Sequence, residues 1–102
     1  MKLYNKLVRD KIPEIIKESG KECEIEIVNG VQKQELLEKK LLEEVNEYME
    51  DKNLEELADV MEVLFGLAKE LGYSEADLLN KRKEKLQERG GFKGGIVLVK
   101  VK

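Results

Sequence analysis

The chain has 102 residues, 41% of them apolar and 40% charged, with a net charge of −3, one cysteine and no histidine. That describes a single folded domain over residues 1–102 with a modest core, and it excludes a disordered chain. An acidic balance without a basic arm excludes DNA or RNA as the principal partner. The lone Cys23 excludes an internal disulfide, and no apolar run is long enough for a bilayer span or a signal-peptide core, so no membrane partner and a cytoplasmic location are expected.

Residues 1–9, MKLYNKLVR, carry apolar Leu3, Leu7 and Val8 among basic residues. Asp10 is placed to cap a short helix that tolerates Pro13 in its first turn and stops at Gly20. Lys6, Arg9 and Lys11 crowd around Asp10; taken alone, such bases face solvent. Residues 23–28, CEIEIV, alternate apolar and acidic side chains and end at Asn29-Gly30, which predicts a half-buried strand. Its strong candidate partner is IVLVKV at 96–101, paired within the chain or exchanged between two copies.

Periodicity predicts two long helices over 31–50 and 54–71, joined by a connection short enough for antiparallel neighbours. In the first, Leu37, Leu41 and Tyr48 fall within about 40° of one another, Glu44 falls inside that arc, and Glu47 lies nearer its edge. In the second, apolar residues cover more than half the circumference, so one antiparallel neighbour cannot cover them all. There Glu56 projects between Val63 and Leu67, and Asp59 sits just outside the apolar sector. Glu47 and Glu56 are equally far from the midpoint of the turn, as are Glu44 and Asp59, so antiparallel helices bring the four carboxylates to matching heights. Such convergence raises carboxylate pKa values and destabilises the fold unless a divalent cation compensates it, and a charge on a buried stripe needs a partner or a metal. Two plainer readings compete. In a chain this charged an acidic cluster is usually a solvated face, and Asn53 followed by Glu56 is a capping-box pattern that draws the Glu56 carboxylate back to the Asn53 amide.

Ser74, with Asp77 at the matching position, starts a third long helix that runs to about Glu88. It places Arg82 and Arg89 on one side with Leu78, Leu79 and Leu86, and Lys85 close by. These long basic side chains either bury their stems and snorkel to water or reach phosphate. The glycine-rich stretch at 89–95, RGGFKGG, allows close backbone approach to a ligand and offers the Phe92 ring to a base or ribose; its default role is to link a helix to a strand.

The segment LLEEVNEYMEDKNLEELADVMEVL resembles the signature of the all-α nucleoside triphosphate pyrophosphatases, the group that includes MazG and phosphoribosyl-ATP pyrophosphohydrolase. Their pattern of Glu-Glu-x-x-Glu, a spacer and Glu-x-x-Asp is met by Glu43, Glu44, Glu47, Glu56 and Asp59. The spacer of eight residues between Glu47 and Glu56 is shorter than in typical MazG proteins. The opening YNKLVRDKIPEII and the late ERGGF are similar to small single-domain members labelled phosphoribosyl-ATP pyrophosphohydrolase-like.

Residue reading and resemblance together predict a mainly all-α antiparallel helical bundle built on the acidic hairpin, with the strands 23–28 and 96–101 as a minor element. Four carboxylates without histidine select a hard cation, Mg²⁺ with Mn²⁺ as substitute, at Glu44, Glu47, Glu56 and Asp59. The expected reaction converts a nucleoside triphosphate to monophosphate and pyrophosphate, a house-cleaning of the nucleotide pool, with Glu44 or Glu47 activating water. Lys6, Arg9, Lys11, Arg82, Lys85 and Arg89 are the expected phosphate partners and Phe92 the base partner. On that reading metal affinity without nucleotide does not depend on Arg9. Hydrolysis of phosphoribosyl-ATP shares the metal chemistry and stays open, as does a non-enzymatic helical module whose acids pair with Lys39, Lys40 and Lys52. The expected assembly is a homodimer or a dimer of dimers.

Overall fold

The computed structural model describes residues 4–102; Leu3, one of the apolar positions of the opening arm, lies outside the described residues. Four helices follow one another: α1 (Ile12–Glu18), α2 (Gly30–Asp51), α3 (Leu54–Glu70) and α4 (Glu75–Arg89). The all-α expectation holds, with helix ends within one residue of those read from periodicity for the three long helices.

The hairpin of α2 and α3 is the largest interface in the molecule. Its turn is two residues long. Lys52 takes the left-handed conformation (φ 48°, ψ 51°) and donates its backbone N–H to the Tyr48 carbonyl at 2.8 Å, which closes α2. Asn53 is extended, and its side-chain oxygen accepts from the Glu56 N–H at 3.0 Å, which opens α3. A side chain other than glycine is uncommon at positive φ, so the reversal at Lys52 is held by the helices on either side of it.

Leu37 of α2 and Val63 and Ala68 of α3 form the buried apolar centre. Gly66 lets Leu37 come close: a Cβ there would stand 3.0 Å from Leu37 Cδ2. Lys33 and Glu70 tie the end of the hairpin away from the turn with an ion pair of 3.1 Å. Ser74 and Asp77 complete the expected capping box at the start of α4. That helix leans on α3 with Leu78, Leu79 and Arg82 beside Met61, Leu64 and Phe65, enclosing an apolar groove of about 160 Å³.

Two expectations are corrected. Asp10 does not cap α1; Lys11 holds the cap position without a side-chain bond, and the helix begins from the turn made by the Ile12 N–H on the Arg9 carbonyl. No strand forms at 23–28 or 96–101 among the described residues. The alternation in 23–28 and the β-branched residues at 96–101 are strand signals, but a ladder needs a neighbour within hydrogen-bonding distance and the protomer supplies none. Ile27 stays 81% and Ile96 91% exposed.

The protomer is also open. Its accessible surface is 9510 Å², against about 5,900 Å² for a compact chain of this mass. The radius of gyration is 17.7 Å, against about 13 Å for a compact domain of this length. The stability of an isolated protomer therefore hangs on the few residues of the hairpin seam. Leu37→Ala is expected to lower unfolding free energy by about 2–4 kcal/mol in urea titrations; a change below about 0.5 kcal/mol would show that the seam does not carry the fold.

Candidate metal centre

The acidic site is built where the hairpin reverses. On α2, the turn that buries Leu37 continues through Leu41 to Glu44, which is only 6% exposed; Glu47 follows one turn later. On α3, Glu56 lies in the first turn and Asp59 in the next, both half-buried. One carboxylate oxygen from each of Glu44, Glu47, Glu56 and Asp59 lies within 4.8 Å of the others. The symmetry about the turn thus becomes a physical cluster.

The capping-box alternative for Glu56 is half realised. Its backbone N–H is taken by Asn53, while its carboxylate makes no return bond and its Oε2 is buried without a hydrogen-bond partner. Glu44 Oε2 is in the same state. A buried carboxylate oxygen without a donor is strongly disfavoured, so two of them beside two more acids fit a bound cation in the space between. The donor set is all oxygen, with no histidine in the chain, which matches magnesium, manganese or calcium better than zinc.

Basic side chains surround the cluster from outside. Lys40 Nζ stands 3.2 Å from Glu44 Oε1 and 3.4 Å from Glu43 Oε2. Lys6 Nζ reaches Glu43 Oε1 at 3.1 Å, and Arg9 Nη2 reaches Asp59 Oδ1 at 2.6 Å. The titration of the acids follows this division. Burial pushes the Glu44 carboxyl up, the Lys40 ammonium pulls it down, and the neighbouring Glu47 adds to the rise. Glu56 is also raised, first by desolvation and then by the charges of Asp59 and Asp51. Glu43 goes the other way, held down by its hydrogen bond from Lys6, and the same bond raises Lys6.

The residues expected at the site are therefore separated into three groups. Glu44, Glu47, Glu56 and Asp59 meet; Lys6 and Arg9 arrive beside them on the segment before α1. Lys11 serves as the α1 cap position and Arg82 lines the apolar groove against α3. Lys85 and Arg89 are exposed on α4 and make no ion pair among the described residues, and Phe92 is 99% exposed. These last three make no hydrogen bond or ion pair with the acids among the described residues. Lys40 is the site residue that sequence reading undervalued: its spacing of three and four from Glu43 and Glu44 is an ordinary helix-surface pattern, and only the burial of Glu44 makes it more than that. Neither Lys39 nor Lys52 pairs with an acid, so the interhelical ion-pair alternative is reduced to Lys40, which acts within its own helix.

The chain is an all-α protein whose antiparallel helical hairpin brings four carboxylates together at its turn, a group that could hold a metal ion. The MazG-like family model matches residues 27–95, from the segment before α2 through all three long helices, and the chain belongs to the MazG-like family. No curated protein and no solved structure gives a significant match. Among the described residues no helix is long and apolar enough to cross a membrane.

The raised acids give the metal-free protein a testable pH response. A carboxyl whose pKa is higher in the folded than in the unfolded chain binds protons preferentially when folded, so its ionised form destabilises at neutral pH. Stability should increase as pH falls from 7 toward about 5, before the unfolded chain takes up protons in the ordinary glutamate range. Thermal melts in a chelator should show this rise in the wild type and a smaller one in Glu44→Gln; melting points that fall steadily below pH 7 in both would contradict it.

Proposed function

We propose that this protein is a metal-dependent nucleoside triphosphate pyrophosphohydrolase, releasing pyrophosphate and leaving the monophosphate. The observation that carries this reading is the convergence of Glu44, Glu47, Glu56 and Asp59 with the Oε2 atoms of Glu44 and Glu56 buried and unpartnered. Membership of the MazG-like family supports it. Those four residues would hold Mg²⁺, or Mn²⁺ in its place. A bound cation of that kind supplies Lewis acidity toward phosphate oxygens and makes a nearby water more acidic.

The chain's own groups do the rest. Glu44 or Glu47, both in the cluster, accepts a proton from the attacking water. Oxygen from water bonds to the α-phosphorus, and the bond from that phosphorus to the oxygen bridging to the β-phosphate breaks. Lys6, Arg9 and Lys40 lie beside the acids and are the cations placed to meet the departing negative charge. Lys11, Lys85 and Arg89 retain unpaired charges for the remaining phosphates, with Arg82 at the edge of the groove.

We further propose that the working unit is a homodimer or a dimer of dimers. The excess surface of the protomer, the apolar groove between α3 and α4, and the exposed Leu57, Met61 and Leu64 on the second helix of the hairpin support association through α3. Light scattering at micromolar concentration is expected to give twice or four times the chain mass; a monomer would overturn the assembly.

For the chemistry, a pyrophosphate-release assay over common and damaged nucleoside triphosphates with Mg²⁺ is expected to show turnover in the wild type. Glu47→Gln and Glu56→Gln should each lose about a hundredfold or more, since each removes several kcal/mol of charge stabilisation at the reacting phosphate. Full activity in both variants would remove the site assignment.

A further inference from the structure

The segment before α1 lies across the two helices of the hairpin. Lys6 is bonded to Glu43 on α2 and Arg9 to Asp59 on α3, so the chain from Lys6 through Leu7 and Val8 to Arg9 bridges the mouth of the acidic cluster. Asn5, Lys6 and Leu7 rest over the α2 surface near Lys39, Lys40 and Glu43, with a cavity of about 40 Å³ between them.

The two kinds of counter-ion at the site differ in how firmly they are held. Lys40 belongs to α2 and its side chain is 17% exposed, so it stays with Glu44. Arg9 is 54% exposed, and its partner Asp59 is 38% exposed. An ion pair this exposed is weakly held and exchanges readily. Asp59 is also one of the four residues that would hold the cation, and a guanidinium at 2.6 Å competes with a divalent ion for the same carboxylate both by occupying its lone pairs and by charge repulsion.

We propose that residues 4–11 form a strap latched by Arg9 on Asp59 in the metal-free protein and released from α3 when a divalent cation takes Asp59. Lys6 keeps the strap hinged on α2 through Glu43, which is not one of the four clustered acids. Arg9 thus has two successive partners: the carboxylate when the site is empty, and the phosphate of an arriving ligand once the carboxylate is occupied. On this proposal metal affinity depends on Arg9 through direct competition for Asp59, where the sequence reading expected no dependence. The inference rests on the metal reading of the cluster.

Calorimetric titration of Mg²⁺ into wild type and Arg9→Ala, paired with backbone NMR relaxation of residues 4–11, tests it. Mg²⁺ should bind Arg9→Ala roughly two- to fivefold more tightly than wild type, because a competitor worth one exposed ion pair has gone. Saturating Mg²⁺ should lower the order parameters of the strap in wild type, and in Arg9→Ala they should be low from the start. If Mg²⁺ binds wild type but the strap stays as ordered as before, or Arg9→Ala binds more weakly, the latch is wrong and the metal site stands. If neither protein binds Mg²⁺, the metal reading fails and the strap with it.

Discussion

The burial of Glu44 is the constraint on which this structure turns. A carboxylate on the same helical face as Leu37, 6% exposed and with one oxygen lacking any donor, is a poor choice for a helix seam unless something compensates it. Lys40 compensates one oxygen, and the other faces a cluster whose remaining members make matters worse by adding charge. The fold tolerates this because the opposite end of the hairpin is well made: Leu37 sits against the open backbone at Gly66, and Val63 and Ala68 complete the seam. Stability at one end supports an electrostatic deficit at the other, a common arrangement at sites that bind cations.

The hairpin turn converts sequence spacing into geometry. With only Lys52 and Asn53 outside the helices, α2 and α3 have little freedom to slide, and positions equidistant from the turn must face each other. Asn53 caps α3 through the Glu56 N–H, while Glu56 Oε2 stays buried without a hydrogen-bond partner. The same amino acids on a longer or more flexible turn would spread the four acids over a solvated face, where each would behave as an ordinary surface glutamate or aspartate.

Much of the fold was legible in the sequence, because helix periodicity, the Asn53 and Ser74 caps and short connections are local signals. The four acids were legible for the same reason: a 3.6-residue period places Glu44 on the apolar arc of α2, and the turn reflects it onto α3. What failed depended on distant partners. Residues 23–28 and 96–101 have strand-like sequences, but whether a strand forms is decided by what lies beside it, and one protomer offers nothing. The partner of Arg9 is 50 residues away in sequence, on a helix whose register only the packed hairpin fixes. Lys85, Arg89 and Phe92 were grouped with the site by chemistry; they are exposed and make no hydrogen bond or ion pair with the acids among the described residues.

The proposed role of Glu44, Glu47, Glu56 and Asp59, whose carboxylate oxygens cluster within 4.8 Å, is to hold a hard divalent cation together. Crystals grown with Mn²⁺ and measured at its absorption edge test that most directly, since the anomalous signal locates the ion without reference to activity. A peak is expected between α2 and α3 at coordination distance from oxygens of all four residues, with Arg9 displaced from Asp59. A cluster without a peak at saturating Mn²⁺, its four carboxylates instead satisfied by water and lysine, would contradict it.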